Sequence, residues 1–433
     1  MAQKFLATAA GFSLAFSKFI QKSREEKLSV DGVVADIIAD VKARGNAAVV
    51  EYTKRFDGDS LGVDALAFTS TETAEALEKC DAKTLKALHV AAERIREYHQ
   101  KQLPRDEQYV DAQGVRLGWR WTALYSAGLY VPGGTAPLFS SVLMNAIPAK
   151  VAGVDRLVVT MPATNGVVNP LMLAACSIAG VDEIYRIGGA QAIAALAYGT
   201  ETVSPVDKIL GPGNSYVSSA KKQVFGMVGI DMVAGPSEVT VVADGANDPE
   251  WIAADLLAQA EHDASSQSIL ITDNEVFADR VMKAVESQLK TLPRAEIAAK
   301  SWKNNGAVII VDRLADVAAL IDEIAPEHLE LAIEDPDGLA EQVRHAGAIF
   351  LGRFSPEAIG DYIAGPSHVL PTSGAARFSS GISVSDFLKR TSLIACEFEN
   401  LVEIGPSAVD MAQAESLDAH ARSIALRLRS RKK

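Results

Sequence analysis

The chain has 433 residues, long for a single domain; it is 48% hydrophobic and 22% charged, with a formal net charge of −13. That balance belongs to a globular protein with a real core, and the acidic excess argues against non-specific binding to nucleic acid or an anionic membrane. Three cysteines, Cys80, Cys176 and Cys396, lie far apart without a CxxC pair, which suggests neither a disulfide framework nor a thiolate zinc site and points to a reducing, cytoplasmic compartment.

At the N-terminus, Lys4 and the apolar run 5–16 resemble a weak signal peptide. Thr8, Gly11 and Ser13 interrupt the run, and Ser17-Lys18-Phe19 is a poor cleavage site. Phe5, Phe12, Phe16 and Phe19 fall on one helical stripe and predict an amphipathic helical arm. No stretch approaches the ~18 apolar residues of a membrane span. Val33, Val34, Ile37, Ile38 and Val41 mark a helix that Gly45 ends, a second runs to Phe56, and a third covers 83–102. Val115, Leu117, Trp119 and Trp121 then alternate with Arg116, Gly118 and Arg120, the period of a half-buried strand.

From Gly128 short apolar strands alternate with helices. Strands are expected at 156–161, 182–187 and 207–210, with helices at 140–153, 169–180 and 189–199 between them. A second set follows, with strands at 238–244, 268–272, 307–311 and 348–351. The pattern predicts an α/β fold: mostly parallel, doubly wound sheets, twice over. Past Ser380 the chain is mixed, then closes with a helix over 417–429 and a basic end at 429–433. Its apolar periodicity is too sparse for a separate core, so the tail is expected to pack on something else, such as a second subunit.

Several stretches carry groups suited to chemistry. Gln259 and His262 are three apart at the end of a helix beginning near Pro249, so on that helix they share a face and offer an amide oxygen and an imidazole nitrogen to one object. No GxGxxG is present. Gly211-Pro212-Gly213-Asn214-Ser215-Tyr216, with Asp231 further on, is the nearest approach, but Tyr216 stands where the third glycine is needed; a plain strand-to-helix turn explains it equally well. Tyr130-Val131-Pro132-Gly133-Gly134 and Gly188-Gly189-Ala190-Gln191 also open helices. Three such turns on one sheet edge would line the crevice where doubly wound folds bind ligands.

Pro326-Glu327-His328-Leu329-Glu330 follows an amphipathic helical pattern and reads either as an acid–base pair or as an ordinary exposed helix end. Asp361 and His368 fall in a Gly- and Pro-rich loop past a strand's carboxyl end, where an aspartate serves as a ligand or caps a turn. Glu415 to His420 opens the last helix, with Asp418 or Ser416 as the alternative reading of an N-cap. Of the seven histidines, His89, His99 and His345 lie in charged helical stretches that read as surface. Gln259, His262, Asp361 and His420 together offer two nitrogens and two oxygens, a set that suits zinc and leaves room for a substrate atom.

Taken together, GLYVPGG (128–134), GGAQAIAALAYGT (188–200), DKILGPGN (207–214), AGPSE (234–238), LLAQAEHD (256–263), PEHLE (326–330), GDY (360–362), HVLP (368–371) and E-x-L-x-x-H (415–420) make the chain resemble the histidinol dehydrogenases over nearly its full length. The likeness is weakest before about residue 29 and over 273–305. It implies two incomplete Rossmann-like domains and a small extended tail region: an N-terminal arm (1–24), a first domain (25–128 with 238–380), a second (129–237) and a tail (381–433) swapped onto a partner in a homodimer with shared active sites. It implies NAD-dependent oxidation of L-histidinol to L-histidine through a bound aldehyde, with one zinc ion per subunit held by Gln259, His262, Asp361 and His420. Glu327 and His328 match the catalytic pair. The zinc ligands and His328 also meet substrate, and Ser237, Glu415 and His368 match further substrate-binding positions. Tyr130, Gln191 and Asn214 match those that bind NAD.

Two other enzymes use similar parts. A zinc- and NAD-dependent dehydrogenase of another small alcohol would keep the metal set and Glu327-His328, but has no reason to keep Glu415, an acid suited to a substrate ammonium. A zinc hydrolase would need no nucleotide. A pure binding protein has no use for Glu327 and His328 beside a metal.

Overall fold

The structure, a computed structural model, describes residues 2–24, 30–58, 62–133, 138–233 and 235–429; Gly134, Ala234 and the basic end at 430–433 lie outside them. In chain order, β1 (Gln3–Leu6) precedes a helical stretch, followed by β2 (Glu107–Val110) and β3 (Arg116–Ala123). Next come β4 (Ser126–Tyr130), β5 (Arg156–Thr160), β6 (Glu183–Tyr185), β7 (Lys208–Leu210) and β8 (Gly229–Ile230). These five form a parallel sheet in the order β6-β5-β4-β7-β8. Then β9 (Glu238–Ala243), β10 (Gln267–Thr272), β11 (Ala307–Ile310), β12 (His328–Ala332) and β13 (Ala348–Leu351) join β1 in a second parallel sheet, β1-β11-β10-β9-β12-β13. Leaving β1 aside, both orders run 3-2-1-4-5 within their own set, the Rossmann-like arrangement, with reversal points between β4 and β7 and between β9 and β12. A last strand, β14 (Leu388–Ala395), pairs antiparallel with β3, which holds β2 on its other edge.

The strands are apolar on both faces because helices cover both. Leu129, Leu157, Val159 and Leu210 face one way, with helices 82–100, 139–152 and 170–179; Val158 and Ile209 face the other, with helices 31–44 and 189–198. The six-stranded sheet divides likewise: Val239, Val241 and Leu270 on one face, Val242, Ile269 and Leu329 on the other. Each such buried side chain contributes roughly 1.5–3 kcal/mol relative to exposure.

Three expectations are corrected. The first 24 residues are not a helical arm alone. Phe5 lies in β1, paired with Ile309, and the helix Phe12–Arg24 folds back so that Phe12, Phe16 and Phe19 gather round Phe5 at centroid distances of 5.6–6.2 Å. The stripe was real, but a parallel edge position on β11 captured its first member. Second, helices 31–44 and 82–100 lay their apolar faces on the five-stranded sheet and not on the six-stranded one, because Val34, Ile37, Val41, Leu88 and Ile95 supply the apolar cover that sheet needs; of 238–380, helix 82–100 meets the segment around Ile363, through Arg94. Third, the tail is more regular than its pattern: β14 is followed by the helix Phe398–Ala414 and then by Asp418–Arg429, packed as a hairpin. Val402 and Met411 remain exposed, so no stripe facing a core of its own marked the longer helix.

Candidate active site

The polar cluster of the molecule sits at the amino edge of the six-stranded sheet. Pro326-Glu327-His328 is not an exposed helix end. Helix Ala318–Ile324 stops at Ala325, which turns through a left-handed conformation (φ 47°), and the chain enters β12 between β9 and β13 with Glu327 and His328 both buried. The Glu238 peptide ties both to β9: its N–H donates to Glu327 Oε2 at 2.9 Å, and its carbonyl accepts from His328 Nδ1 at 3.1 Å. A carbonyl only accepts, so the proton is on Nδ1 and the Nε2 lone pair is free. Nε2 has no hydrogen-bond partner and points toward Asp361, whose Oδ1 is 3.9 Å away. Burial depresses the His328 pKa to about 4, so the ring rests neutral, and burial pushes the Glu327 carboxyl well above the usual carboxylate range.

Asp361 reaches this edge on a short helix, Glu357–Tyr362, that follows β13, rather than in a loop at the sheet's carboxyl end. Its carbonyl accepts from His368 Nδ1 at 2.9 Å, so His368 Nε2 accepts from the Ser141 hydroxyl at 3.0 Å. A cavity of about 280 Å³ opens here, lined by His328, Asp361, Ser367 and His368 among others.

Gln259 comes from the helix Pro249–Ala260, which Asp248 caps, and His262 stands two residues past its end. That helix ends before His262, so the two do not share a helical face as expected. A turn carries His262 on, its N–H bonded to the Gln259 carbonyl at 3.2 Å, and the ring stays close enough to oppose charge on His328 and His368. Gln259 is fully buried, with both amide atoms lacking a partner. An orphaned amide costs about 1–3 kcal/mol in a closed core, so a ligand for it is expected. Ser237 is half-buried just before β9; its carbonyl accepts from the Gln267 N–H at 2.9 Å.

Glu415 and His420 are not brought to this cluster within one chain. Both are exposed, Glu415 capping one helix of the C-terminal hairpin and His420 in the first turn of the other. Sequence reasoning also overlooked three carboxylates. Glu357 Oε1 is 3.6 Å from His328 Nδ1; the Glu357 N–H donates to Glu330 at 2.5 Å; and Glu330 in turn bonds Asp255. Burial raises all three, Asp255 to about 6. Ligand atoms of His328, Glu357 and Asp361 lie within 4.8 Å of one another, a geometry open to a cation. Glu330 was findable, because two residues from His328 on a strand is the same face. His99, read as surface, is buried, with Nδ1 2.7 Å from the Ile95 carbonyl.

The three glycine turns, the first described as far as Gly133, lie at the carboxyl edge of the five-stranded sheet, after β4, β6 and β7. The Gly189 N–H donates to the Tyr130 hydroxyl at 3.1 Å, and Gly189 takes φ 63° to do so. Gln191 is buried with both amide atoms unpartnered. Asn214 is exposed and caps the helix Ser215–Val224, accepting from Tyr216 and Val217. Ser141, on the helix entered from the Tyr130 turn, links this edge to the polar cluster through His368.

The family model for histidinol dehydrogenase matches residues 20–428. A histidinol dehydrogenase of Rhodospirillum rubrum is 60% identical over 98% of both chains, and one of Mesorhizobium japonicum is 58% identical over 97% of both. The crystal structure of histidinol dehydrogenase from Elizabethkingia anophelis superposes with a TM-score of 0.93 at 36% identity, covering 100% of this chain and 99% of that one. With the buried Glu327-His328 pair and two Rossmann-like sheets, these matches show that the chain belongs to the histidinol dehydrogenase family, oxidoreductases of histidine biosynthesis.

Proposed function

We propose that this chain oxidises L-histidinol to L-histidine in two successive NAD-dependent steps, with L-histidinaldehyde held between them. The observation that carries the reading is His328: a buried, neutral ring with its tautomer set by the Glu238 carbonyl and a free Nε2 beside Asp361. In the first step Nε2 takes the hydroxyl proton as hydride leaves the carbinol carbon, and the Asp361 carboxylate steadies the imidazolium. In the second, Glu327, whose raised pKa makes it a stronger base than a surface carboxylate, takes a proton from the water that adds to the aldehyde. The hydrate then gives up its own hydride.

Zinc would be held by Gln259, His262 and Asp361 with His420 of the partner subunit, and would serve to bind the substrate's nitrogens and orient its carbinol carbon. The orphaned Gln259 amide and the N/O donor set fit that ion. Glu415, in the same tail as His420, would pair with the substrate ammonium, while Ser237 and His368 complete the pocket. Tyr130, Gln191 and Asn214 would hold NAD, the hydride acceptor for both steps, in the crevice of the five-stranded sheet.

A homodimer with exchanged tails is supported by the tail's exposed apolar side chains, Ile394, Val402, Met411 and Leu426. Among the described residues no helix is long and apolar enough to cross a membrane, in keeping with a cytoplasmic enzyme. The deciding experiment counts NADH. About two per histidinol consumed is expected, one hydride per step; one indicates a simple alcohol dehydrogenase, and none a hydrolase.

A further inference from the structure

Asp231 stands about where a Rossmann acid would reach the ribose, yet it is turned elsewhere. Its Oδ2 accepts from the Gly211 N–H at 2.8 Å, and its carboxylate forms an ion pair with Lys221 in which both side chains are almost wholly enclosed. Lys221 Nζ in turn donates to the Gly211 carbonyl at 2.8 Å. One buried pair thus grips both the N–H and the carbonyl of a single glycine. That glycine needs the grip. It sits at φ 109°, and a Cβ there would collide with the Tyr130 carbonyl, so the Gly211 backbone lies directly against the end of β4. Three residues later Asn214 starts the helix that carries Lys221 itself.

A buried ion pair adds little net stability over an apolar pair of the same shape, so stability alone is a poor reason for this one. We propose that Lys221 and Asp231 are positioning residues for the nucleotide: they lock the Gly211–Asn214 turn against Tyr130 before any ligand arrives, so that binding costs no loop ordering. The inference rests on the reading that NAD occupies this crevice. It also removes Asp231 as a ribose ligand, since its carboxylate is enclosed and paired with Lys221.

The test has two parts. Hydrogen–deuterium exchange on the full-length, metal-loaded protein should show the 208–216 segment protected without NAD and little changed by adding it. An unprotected segment that NAD then orders overturns the proposal. The double variant Lys221→Met, Asp231→Leu leaves no unpaired charge, and calorimetric titration should give an NAD dissociation constant raised on the order of tenfold, in line with two lost hydrogen bonds partly replaced by water. The KM for histidinol should stay within about twofold, because no group of the polar cluster is touched. Unchanged NAD affinity in this variant, with Asn214→Ala weakened, overturns the positioning role and leaves the crevice standing. If Asn214→Ala and Tyr130→Phe also bind NAD normally, the crevice reading itself fails.

Discussion

The Ser141 hydroxyl donates to Nε2 of His368 at 3.0 Å, joining a helix from the carboxyl edge of one sheet to the polar cluster at the amino edge of the other. Each sheet alone would be an ordinary Rossmann-like half. The contact ties the edge that carries the glycine turns to the cluster that holds Glu327 and His328. Ser141→Ala removes the donor but keeps the packing, and a hydrogen bond of this kind is worth about 0.5–1.5 kcal/mol. The expected result is a fall in kcat/KM of roughly 2- to 12-fold with zinc content unchanged; no change in steady-state kinetics would show that the link is dispensable.

Gln259 should behave as a ligand and not as a structural residue. Gln259→Leu removes a buried amide that has no partner, so the metal-free variant should unfold at the same temperature as wild type or higher. Its zinc content after dialysis should nevertheless drop. A metal-free variant that melts much lower, while keeping zinc, contradicts the assignment.

Glu327→Gln is expected to separate the half-reactions. Oxidation of the aldehyde, which needs water, should fall by about 10²–10⁴, the usual reach of general acid–base catalysis, while alcohol oxidation falls far less. His328→Gln should depress both. Equal losses in Glu327→Gln, measured with histidinol and histidinaldehyde as separate substrates, would remove its role in the hydration step.

Metal removal and subunit mixing test the remaining ligand. Chelation should abolish turnover, with zinc restoring it. Subunits bearing Glu327→Gln with His328→Gln, mixed with subunits bearing His420→Ala, should regain about a quarter of wild-type activity, because half of a random mixture is heterodimer and each heterodimer has one intact site when tails are exchanged. No recovery in confirmed heterodimers would place His420 in its own subunit's site.

His99 gives a pH prediction away from the polar cluster. Burial lowers its pKa, so the fold holds the ring neutral while the unfolded chain takes up a proton below about pH 6.5. Its stabilising effect is complete above that value and is lost as pH falls toward the folded pKa. Urea midpoints measured between about pH 7.5 and 5 should therefore decline less steeply in His99→Gln than in wild type; parallel curves would show that another group sets the slope.

Much of the architecture was legible from the chain itself. The alternating short apolar runs after Gly128 appear as the parallel strands they predict, and the three glycine turns lie at one sheet edge, since hydrophobic period and turn residues are local signals. The motif set named the family. What local pattern could not decide was where polar residues end up. Glu327 and His328 look like a helix end until β9 and β13 close over them and the Glu238 peptide fixes their geometry. Glu357, Glu330 and Asp255 look like surface acids until folding stacks them behind His328. Asp361 becomes a neighbour of His328 only because a helix carries it back to the amino edge. Burial and proximity of charged groups depend on distant segments meeting, and that is a property of tertiary structure. Composition and period determined the layers; the contacts between β9, β12 and the helix bearing Asp361 decided the chemistry.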